Sequence, residues 1–328
     1  MADVAAHAGV SRPLVSIVFR DKPGASEDTR RRVRAAAEEL GYQPDLRARL
    51  LSRHQSRLIG ITFGVGHEFH AELISELYAA AQSRGYELTL SGVTRHRGET
   101  AAIHDLMAFR CDGVVLLGPA AGIDELNELA RTTPTVVVAR SLTEPGIEVV
   151  RTDDELGARL ATRHLIDLGH RRIAHVDGGR APGSVERRRG YRRAMRAAGL
   201  DEEIVILKGG LDDTDGSAAA HRLLEKHSDT TGVVVFNDQA AFGFLATARS
   251  LGYGVPEQLS ITGYDNTKIS RADWVRLTTV GQQASTIAQI AIDRAIARIG
   301  GADPSTPELI EPTLIVRGTT APPHQFSS

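Results

Sequence analysis

ADVAAHAGVSRPLVSIVFR (residues 2–20) is the stretch that decides the fold of the N-terminal part of this chain. Its first apolar residues fall on one face of a short helix. Gly9 tolerates a positive φ and supplies a tight turn. Ser11 is a favourable N-cap, and Pro13 lies in the first turn of the next helix, where a missing N–H costs little. The pattern predicts a helix-turn-helix, whose second helix enters the major groove. A small Ala-rich helical bundle without that role is the alternative.

A third helix is predicted in SEDTRRRVRAAAEELGYQP (26–44), where Ser26 is the N-cap and Gly41 ends the helix. The residues that would close a small core around the second helix are Val10, Leu14, Val15 and Val18. The sequence therefore predicts an all-α head over residues 1–44, followed by a short basic linker.

Charge is distributed unevenly between this head and the rest of the chain. Residues 1–57 hold 11 Lys and Arg against 7 Asp and Glu, a net charge of +4, so the remaining residues carry 28 against 34, or −6. A basic head on an acidic body is expected when one end meets a polyanion. The partner that this favours is double-stranded DNA.

The number of cysteines and the hydropathy of the sequence indicate the cellular compartment. The only cysteine, Cys111, excludes an intramolecular disulfide and a cysteine zinc cluster. Met1–Gly9 lacks the charged and apolar regions of an export signal, and no apolar run approaches the roughly 18 residues of a membrane span. We expect a cytoplasmic protein with no membrane partner.

From Leu58 onward, short β-branched runs alternate with amphipathic stretches, which predicts parallel strands in βαβ units. The runs are LIGITF (58–63), YELTLSG (86–92), GVVLLG (113–118), TVVVA (135–139), RIAHVD (172–177), VVVF (233–236), LSITGY (259–264) and LTTV (277–280). They fall into two comparable halves around Arg151, so the α/β core is predicted to be two doubly wound, Rossmann-like subdomains with a ligand between them. The tail ELIEPTLIVRGTT (308–320) is predicted to be one more strand.

Several blocks resemble the LacI (lactose-repressor) family, in the family's order and across nearly the whole chain. They are DVAAHAGVS with LVS, SEDTRRRV, ELGYQPD, RLIGI (57–61), HLIDLGHRRIAHVDG (164–178), RRRGYRRAM (187–195), FNDQAAFGFL (236–245) and VPEQLSITGYDN (255–266). The resemblance implies a core like that of periplasmic sugar-binding proteins. It also implies a repressor that binds a pseudopalindromic operator as a homodimer and responds to a small-molecule effector, expected to be a sugar.

The same resemblance divides the chain into four parts. A helix-turn-helix domain spans 1–44, and a hinge helix or linker spans 45–57. The N-terminal subdomain of the core takes 58–151 plus about 281–308, and the effector-binding C-terminal subdomain takes 152–280 plus about 309–320. Helices near Ala71–Arg84 and Asn237–Arg249 would form the dimer surface.

By resemblance, the recognition helix runs from Ser11 to about Phe19, with Arg12 and Pro13 towards base edges. The Arg12 fork matches O6 and N7 of guanine. The other residues expected to contact DNA are Ser11, Val15, Ser16, Arg20, Ser26, Thr29, Ala48 and Leu51. Leu51 would be the minor-groove wedge of a hinge helix; a flexible basic linker is the alternative. Ile17 and Arg20 stand where many relatives have an arginine and an asparagine, a departure from the family's usual operator-reading residues.

The effector would be bound by polar groups at strand ends, where they can converge on a ligand. By resemblance the effector-binding residues are Arg187, three residues before Gly190, and Asn237, Asp238, Asp265 and Gln282, which follow strands. Phe69 would stack on a sugar ring with His70 beside it. The alternatives are Asn237 and Asp265 as turn caps, Phe69 as core, and the arginines 187–189 as a solvated helix face. That Arg187 is the arginine that points inward is inferred only from its spacing. Leu211 stands where many relatives have a tryptophan.

Enzymatic function is not expected. Gly64-Val65-Gly66 follows a strand, but Phe69 occupies the third glycine of a dinucleotide fingerprint. No G-x-S-x-G, HExxH or P-loop sequence occurs. We therefore expect no cofactor, no metal and no catalytic residues. A free sugar-binding protein and a nucleotide-dependent enzyme are the competing functions. The basic head and the lack of an export signal argue against the first, and the incomplete glycine motif and the missing catalytic set argue against the second.

Overall fold

A computed structural model describes residues 1–19, 22–42 and 56–323, which fall into two compact units on either side of the Ser56–Arg57 bond. Arg20, the last two residues of the predicted head and residues 45–55 of the predicted linker, which include Ala48 and Leu51, lie outside the described residues. None of the helices in the described ranges is long and apolar enough to cross a bilayer.

The first unit contains the predicted helix-turn-helix. Its helices within residues 1–19 and 22–42 are α1 (Ala2–His7), α2 (Arg12–Phe19) and α3 (Glu27–Glu39). Gly9 turns the chain with φ of +62°, the Ser11 hydroxyl accepts the Leu14 N–H at 3.4 Å, and the Ser26 hydroxyl accepts the Thr29 N–H at 3.3 Å. The core is closed by the buried residues Val4, Ala5, Ala8, Val15, Val18, Val33, Ala36 and Ala37.

The second unit begins with the N-terminal lobe, a parallel sheet in the order β11-β5-β4-β3-β1-β2. In chain order its elements are β1 (Leu58–Gly64), α4 (Glu68–Ser83), β2 (Glu87–Val93), α5 (Glu99–Ala108), β3 (Gly113–Leu117), α6 (Ile123–Thr132), β4 (Thr135–Val138) and β5 (Ile147–Thr152), and later α12 (Ala284–Ile299) and β11 (Glu308–Ile310). Strands β3 and β4 are buried throughout, as expected of a sheet covered by helices on both faces.

The C-terminal lobe repeats this topology in the order β12-β10-β9-β8-β6-β7. Its elements are α7 (Asp154–Asp167), β6 (Ile173–Asp177), α8 (Ser184–Ala197), β7 (Val205–Lys208), α9 (Asp213–Lys226), β8 (Gly232–Val235), α10 (Asp238–Ser250), β9 (Ser260–Asp265), α11 (Lys268–Arg271), β10 (Thr278–Gly281) and β12 (Thr313–Ile315), with a 3-10 turn at Asp201–Glu203. The predicted fold class, a helical head and two doubly wound subdomains, is confirmed.

The tail differs from its prediction as one strand. It forms β11, which pairs with β5 in parallel, and β12, which pairs with β10 in antiparallel fashion. Glu311 and Pro312 separate the two, and because proline cannot donate to a ladder, it suits the break between the two sheets. The chain therefore passes between the lobes three times among the described residues: after β5, after β10 and after β11.

Candidate functional site

A cavity lies between the two lobes, at the carboxyl ends of strands from both sheets. It is lined by His67, Phe69, His70, Gly118, Ala139, Ala181, Pro182, Arg187, Leu211, Phe236, Asn237, Asp265 and Gln282. In this arrangement of the lobes its volume is about 60 Å³, room for a few water molecules. Doubly wound sheets bind ligands at this edge.

Arg187 is the buried cation of the cavity. Its Nε donates to Asp154 Oδ1 at 2.8 Å and its Nη1 donates to the Phe236 carbonyl at 2.6 Å. Its Cζ atom lies 3.5 Å from the centre of the Tyr264 ring. Arg188 instead pairs with Asp177, away from the cavity lining, and the Arg189 side chain is 63% exposed. Of the three consecutive arginines, Arg187 is the one that points inward.

Asp265 lies beside Arg187 and belongs to a chain of polar side chains. Its Oδ1 accepts a hydrogen bond from Gln282 Nε2 at 2.6 Å, and Gln282 Oε1 accepts one from the Thr152 hydroxyl at 3.0 Å. Arg187 Nη1 lies 3.8 Å from the same Oδ1. Burial raises the pKa of Asp265 above its ordinary value, and the Arg187 charge opposes that shift. The Asp265 backbone has φ of +112°, a strained conformation that directs the side chain.

Asn237 and Asp238, both predicted to bind the effector, have structural partners. Asn237 Oδ1 caps α10 by accepting the Ala240 N–H, and its Nδ2 donates to the Leu211 carbonyl. Asn237 still lines the cavity. Asp238 is fully buried, accepts the Thr267 N–H at 2.8 Å, and is not among the lining residues. The prediction that Asp238 binds the effector is therefore wrong. Its carboxylate lies behind the cavity wall and accepts hydrogen bonds from the Thr267 N–H and from threonine hydroxyls.

Phe69 and His70 enter the cavity from the first turn of α4. Phe69 is 6% exposed, packs in the core of the N-terminal lobe and also lines the cavity. His70 Nδ1 accepts the Gly64 N–H at 3.0 Å. Burial lowers the pKa of His70 to about 3, so the ring is neutral and its proton is on Nε2. That N–H has no hydrogen-bond partner among the described residues.

Two contributors to the site were missed by sequence reasoning. Asp154 pairs with Arg187, while its neighbour Asp153 caps α7 by accepting the Leu156 N–H. Asp154 lies two residues after β5, a strand that the sequence did not predict, so placement near a strand end could not single it out. His67, whose ring stacks on His70 at 4.6 Å, had no such signal because it lies in an irregular loop.

The head exposes Ser11, Arg12, Pro13 and Ser26, and leaves Ser16 and Thr29 half-buried. Val15 is fully buried beneath α2. Its inclusion among the DNA contacts is therefore wrong, because a side chain inside the helical core cannot reach a base. Arg20, Ala48 and Leu51 lie outside the described residues.

Among residues 1–19, 22–42 and 56–323, no group of three or more His, Cys, Asp or Glu side chains is arranged to hold a metal ion.

The molecule combines a helix-turn-helix with a two-lobed core that has a polar cleft. Those features define a DNA-binding protein with a ligand-binding core.

Comparison with known proteins specifies the family. Residues 1–45 match the family of bacterial regulatory proteins called lacI, and residues 162–320 match the periplasmic binding protein-like domain. The chain is 32% identical to the HTH-type transcriptional regulator GalR of Salmonella typhimurium, over 98% of this chain and 96% of that protein. This chain belongs to the LacI family of bacterial transcriptional regulators, and such relatives are regulators rather than enzymes.

Solved structures agree with this assignment. A LacI transcriptional regulator from a Rhodococcus species is 41% identical, with a TM-score of 0.80 over 81% of this chain and all of that one. The lac repressor dimer bound to operator and the anti-inducer ONPF is 27% identical, with a TM-score of 0.84 over 97% and 98% of the two chains. A complex of the regulator CelR with cellobiose is 28% identical, with a TM-score of 0.71 over the same shares.

Proposed function

We propose that this chain is a cytoplasmic repressor that binds a pseudopalindromic operator as a homodimer and is controlled by a sugar without charged groups, bound between the lobes of its core. The observation that carries the proposal is the cavity of Arg187, Asp265 and His70, at the strand ends of both lobes of a chain with a helix-turn-helix head. The CelR–cellobiose complex supports a sugar in the corresponding kind of core.

The hydrogen-bonding groups of the cavity favour an uncharged ligand. Asp154 and Asp265 face the single guanidinium of Arg187, so the buried cation is already neutralised. A phosphate or carboxylate on the ligand would meet Asp265 without a free cation to pair with, which is costly in a desolvated site. Vicinal hydroxyls can instead donate to Asp265 and accept from Arg187.

The remaining surfaces suit a sugar ring. Phe69 and Phe236 provide apolar faces, and His70 Nε2–H provides a donor for a ring or hydroxyl oxygen. Because the cavity of about 60 Å³ is smaller than a monosaccharide, ligand entry requires the lobes to move apart. The relative position of the lobes would then depend on whether the effector is bound. The coupling free energy between effector and operator equals the difference in effector binding free energy between the DNA-bound and DNA-free states.

DNA recognition is assigned to the exposed start of α2. Arg12 and Pro13 lie in its first turn, and Ser26 and Thr29 lie at the start of α3, in reach of phosphates. A two-fold protein needs a two-fold site, and the lac repressor dimer on its operator supports that arrangement for a relative. Tyr78 on α4 and Trp274 after α11 are 45% and 63% exposed, which supplies apolar surface for the dimer contact.

The decisive experiment measures binding to DNA from immediately upstream of the gene, at fixed salt, with and without a panel of neutral and phosphorylated sugars. Tight sequence-specific binding that one neutral sugar relieves is the expected result. Asp265→Asn should abolish the response to that sugar while leaving operator affinity intact. Binding no tighter than to random DNA would refute the repressor assignment for that site, and relief by phosphorylated sugars alone would refute the neutral effector.

A further inference from the structure

A cationic groove of about 480 Å³ runs along the C-terminal lobe, on the side of α8 turned away from Arg187. Apart from Val185 and Glu155, its lining consists of Arg188, Arg189, Arg192, Arg193 and Arg196. At 1.5 Å rise per residue, the stretch from residue 185 to residue 196 is about 16 Å long. The arginines recur at helical spacing, so they form one continuous stripe.

Neighbouring carboxylates orient these guanidinium groups but do not neutralise their whole charge. Glu155, whose side chain is only 23% exposed, is shared by Arg193 at 3.0 Å and Arg189 at 3.5 Å. Arg188 pairs with Asp177, and Arg196 lies 3.3 Å from Asp201. Five arginines thus face three carboxylates. Guanidinium groups that are already oriented lose less conformational entropy when an anion binds.

The charge of the stripe is not a consequence of overall composition. Residues 58–328 carry six more acidic than basic residues. Arg192 is exposed and makes no hydrogen bond or ion pair with the described residues. The basic residues of the stripe are all arginines, whose planar forks match phosphate oxygens bidentately, whereas lysine acts as a point charge.

We propose that this groove is a second, sequence-independent nucleic-acid surface that binds the sugar–phosphate backbone of duplex DNA. One strand presents a phosphate about every 3.4 Å of helix axis, so a 16 Å stripe faces about five phosphates. The occupant is DNA because a regulator with a helix-turn-helix head is already concentrated on it. Because this surface contacts phosphates and not base edges, it contributes to affinity and not to base readout.

The test uses the full chain and a labelled random-sequence duplex, with binding followed by fluorescence anisotropy from 50 to 200 mM salt. The variant Arg189→Gln/Arg192→Gln/Arg193→Gln removes three cations of the groove. The control Arg95→Gln/Arg131→Gln/Arg171→Gln removes three exposed arginines elsewhere. The head is identical in all three proteins, so any difference between the variants reports the core surface.

The expected result is a slope of log affinity against log salt that is shallower by about 2 to 3 in the groove variant, because each lost phosphate contact removes about 0.9. The control should keep the wild-type slope, and thermal unfolding should be alike in all three. An unchanged slope and affinity in the groove variant would overturn the proposal. Competition by polyglutamate as strong as that by DNA of equal charge would also overturn it, in favour of a general anion surface.

Discussion

An ion pair between Glu72 of α4 and Arg271 of α11 joins the two lobes. Arg271 Nη2 donates to Glu72 Oε2 at 2.8 Å and to the Asn266 carbonyl at 2.6 Å. Asn266 directly follows Asp265, so the ion pair connects α4 of one lobe to the residue beside the cavity aspartate in the other. Burial raises the pKa of Glu72, and Arg271 opposes that shift.

This contact predicts a measurable coupling between the lobes. In a double-mutant cycle of Glu72→Gln and Arg271→Gln, urea unfolding should give a coupling free energy of about 0.5 to 1 kcal/mol, because Arg271 is half-exposed and the pair is screened. Either single change should also raise the association rate of the sugar, since entry requires the lobes to separate. The control cycle is Arg163 with Asp167, a pair within α7, which should leave that rate unchanged. Equal rates in the Glu72 and control variants would contradict a restraining role.

The buried pair of Arg187 and Asp154 predicts a large loss of stability when one partner is removed. Arg187→Met leaves Asp154 buried without its cation, and such a loss costs about 3 to 5 kcal/mol. Asp154→Asn in the same chain should recover part of this cost by removing the unpaired charge. The exposed Arg189→Met is the matched control and should stay within about 0.5 kcal/mol in urea unfolding. A loss equal to that of Arg189→Met would disprove the pairing.

His175 predicts part of the pH dependence of stability. The residue is fully buried, Val234 accepts its Nδ1–H, and burial lowers the pKa of His175 to about 4. An unfolded histidine titrates near 6.5. Its contribution is therefore complete above pH 6.5 and is lost as pH falls towards 4, because the unfolded state takes up the proton first.

Replacing His175 with Gln should reduce the slope of the unfolding free energy between pH 4 and 6.5 by up to about 1.4 kcal/mol per pH unit. His104→Gln, an exposed position, is the control. If both variants keep the wild-type slope in urea titrations at several pH values, His175 is not the titrating group.

Gly243 lies at a close contact between α9 and α10 that leaves no room for a side chain. A Cβ at this position would come within 1.9 Å of the Asp213 carbonyl oxygen. Gly243→Ala must push the helices apart and should cost about 1 to 3 kcal/mol. Gly66→Ala, where no heavy atom lies within 4 Å of the added Cβ, should be neutral or slightly stabilising by thermal unfolding. Similar melting temperatures for the two variants would contradict the close packing.

Substitutions of Arg12 and of Val15 should impair the head in two different ways, one through DNA binding and the other through stability. Arg12→Ala should weaken operator binding by about 1 to 3 kcal/mol and relax discrimination at one base pair. Val15→Ala should instead destabilise the head by about 1.5 kcal/mol, the value of two buried methyl groups, with unchanged base preference. Operator variants titrated against both proteins separate these outcomes. Preserved discrimination in Arg12→Ala would remove Arg12 from base readout.

The sequence by itself determined the architecture. The caps at Ser11 and Ser26 and the turn at Gly9 are local features, so they could be read without knowledge of distant contacts. The β-branched runs marked most strands, but β5 and β7 were not recognised. Glu148 and Arg151 interrupt the apolar residues of β5, and β7 is an edge strand of four residues that is only half-buried. The resemblance to the family supplied Arg187 and Asp265 as cleft residues, and the position of Asp265 and Gln282 after strands agreed with it.

Only the tertiary structure decided which side chains use that cleft. Helical periodicity fixes the angles between Arg187, Arg188 and Arg189 but not which of them faces the sheet, and the choice depends on Asp154 from another helix. Asp238 and Val15 are turned inward by packing against distant residues. The tail changes sheets at Pro312, because β5 and β10 each offer an unpaired edge. Local physics sets the elements of this protein, whereas their long-range partners set the site.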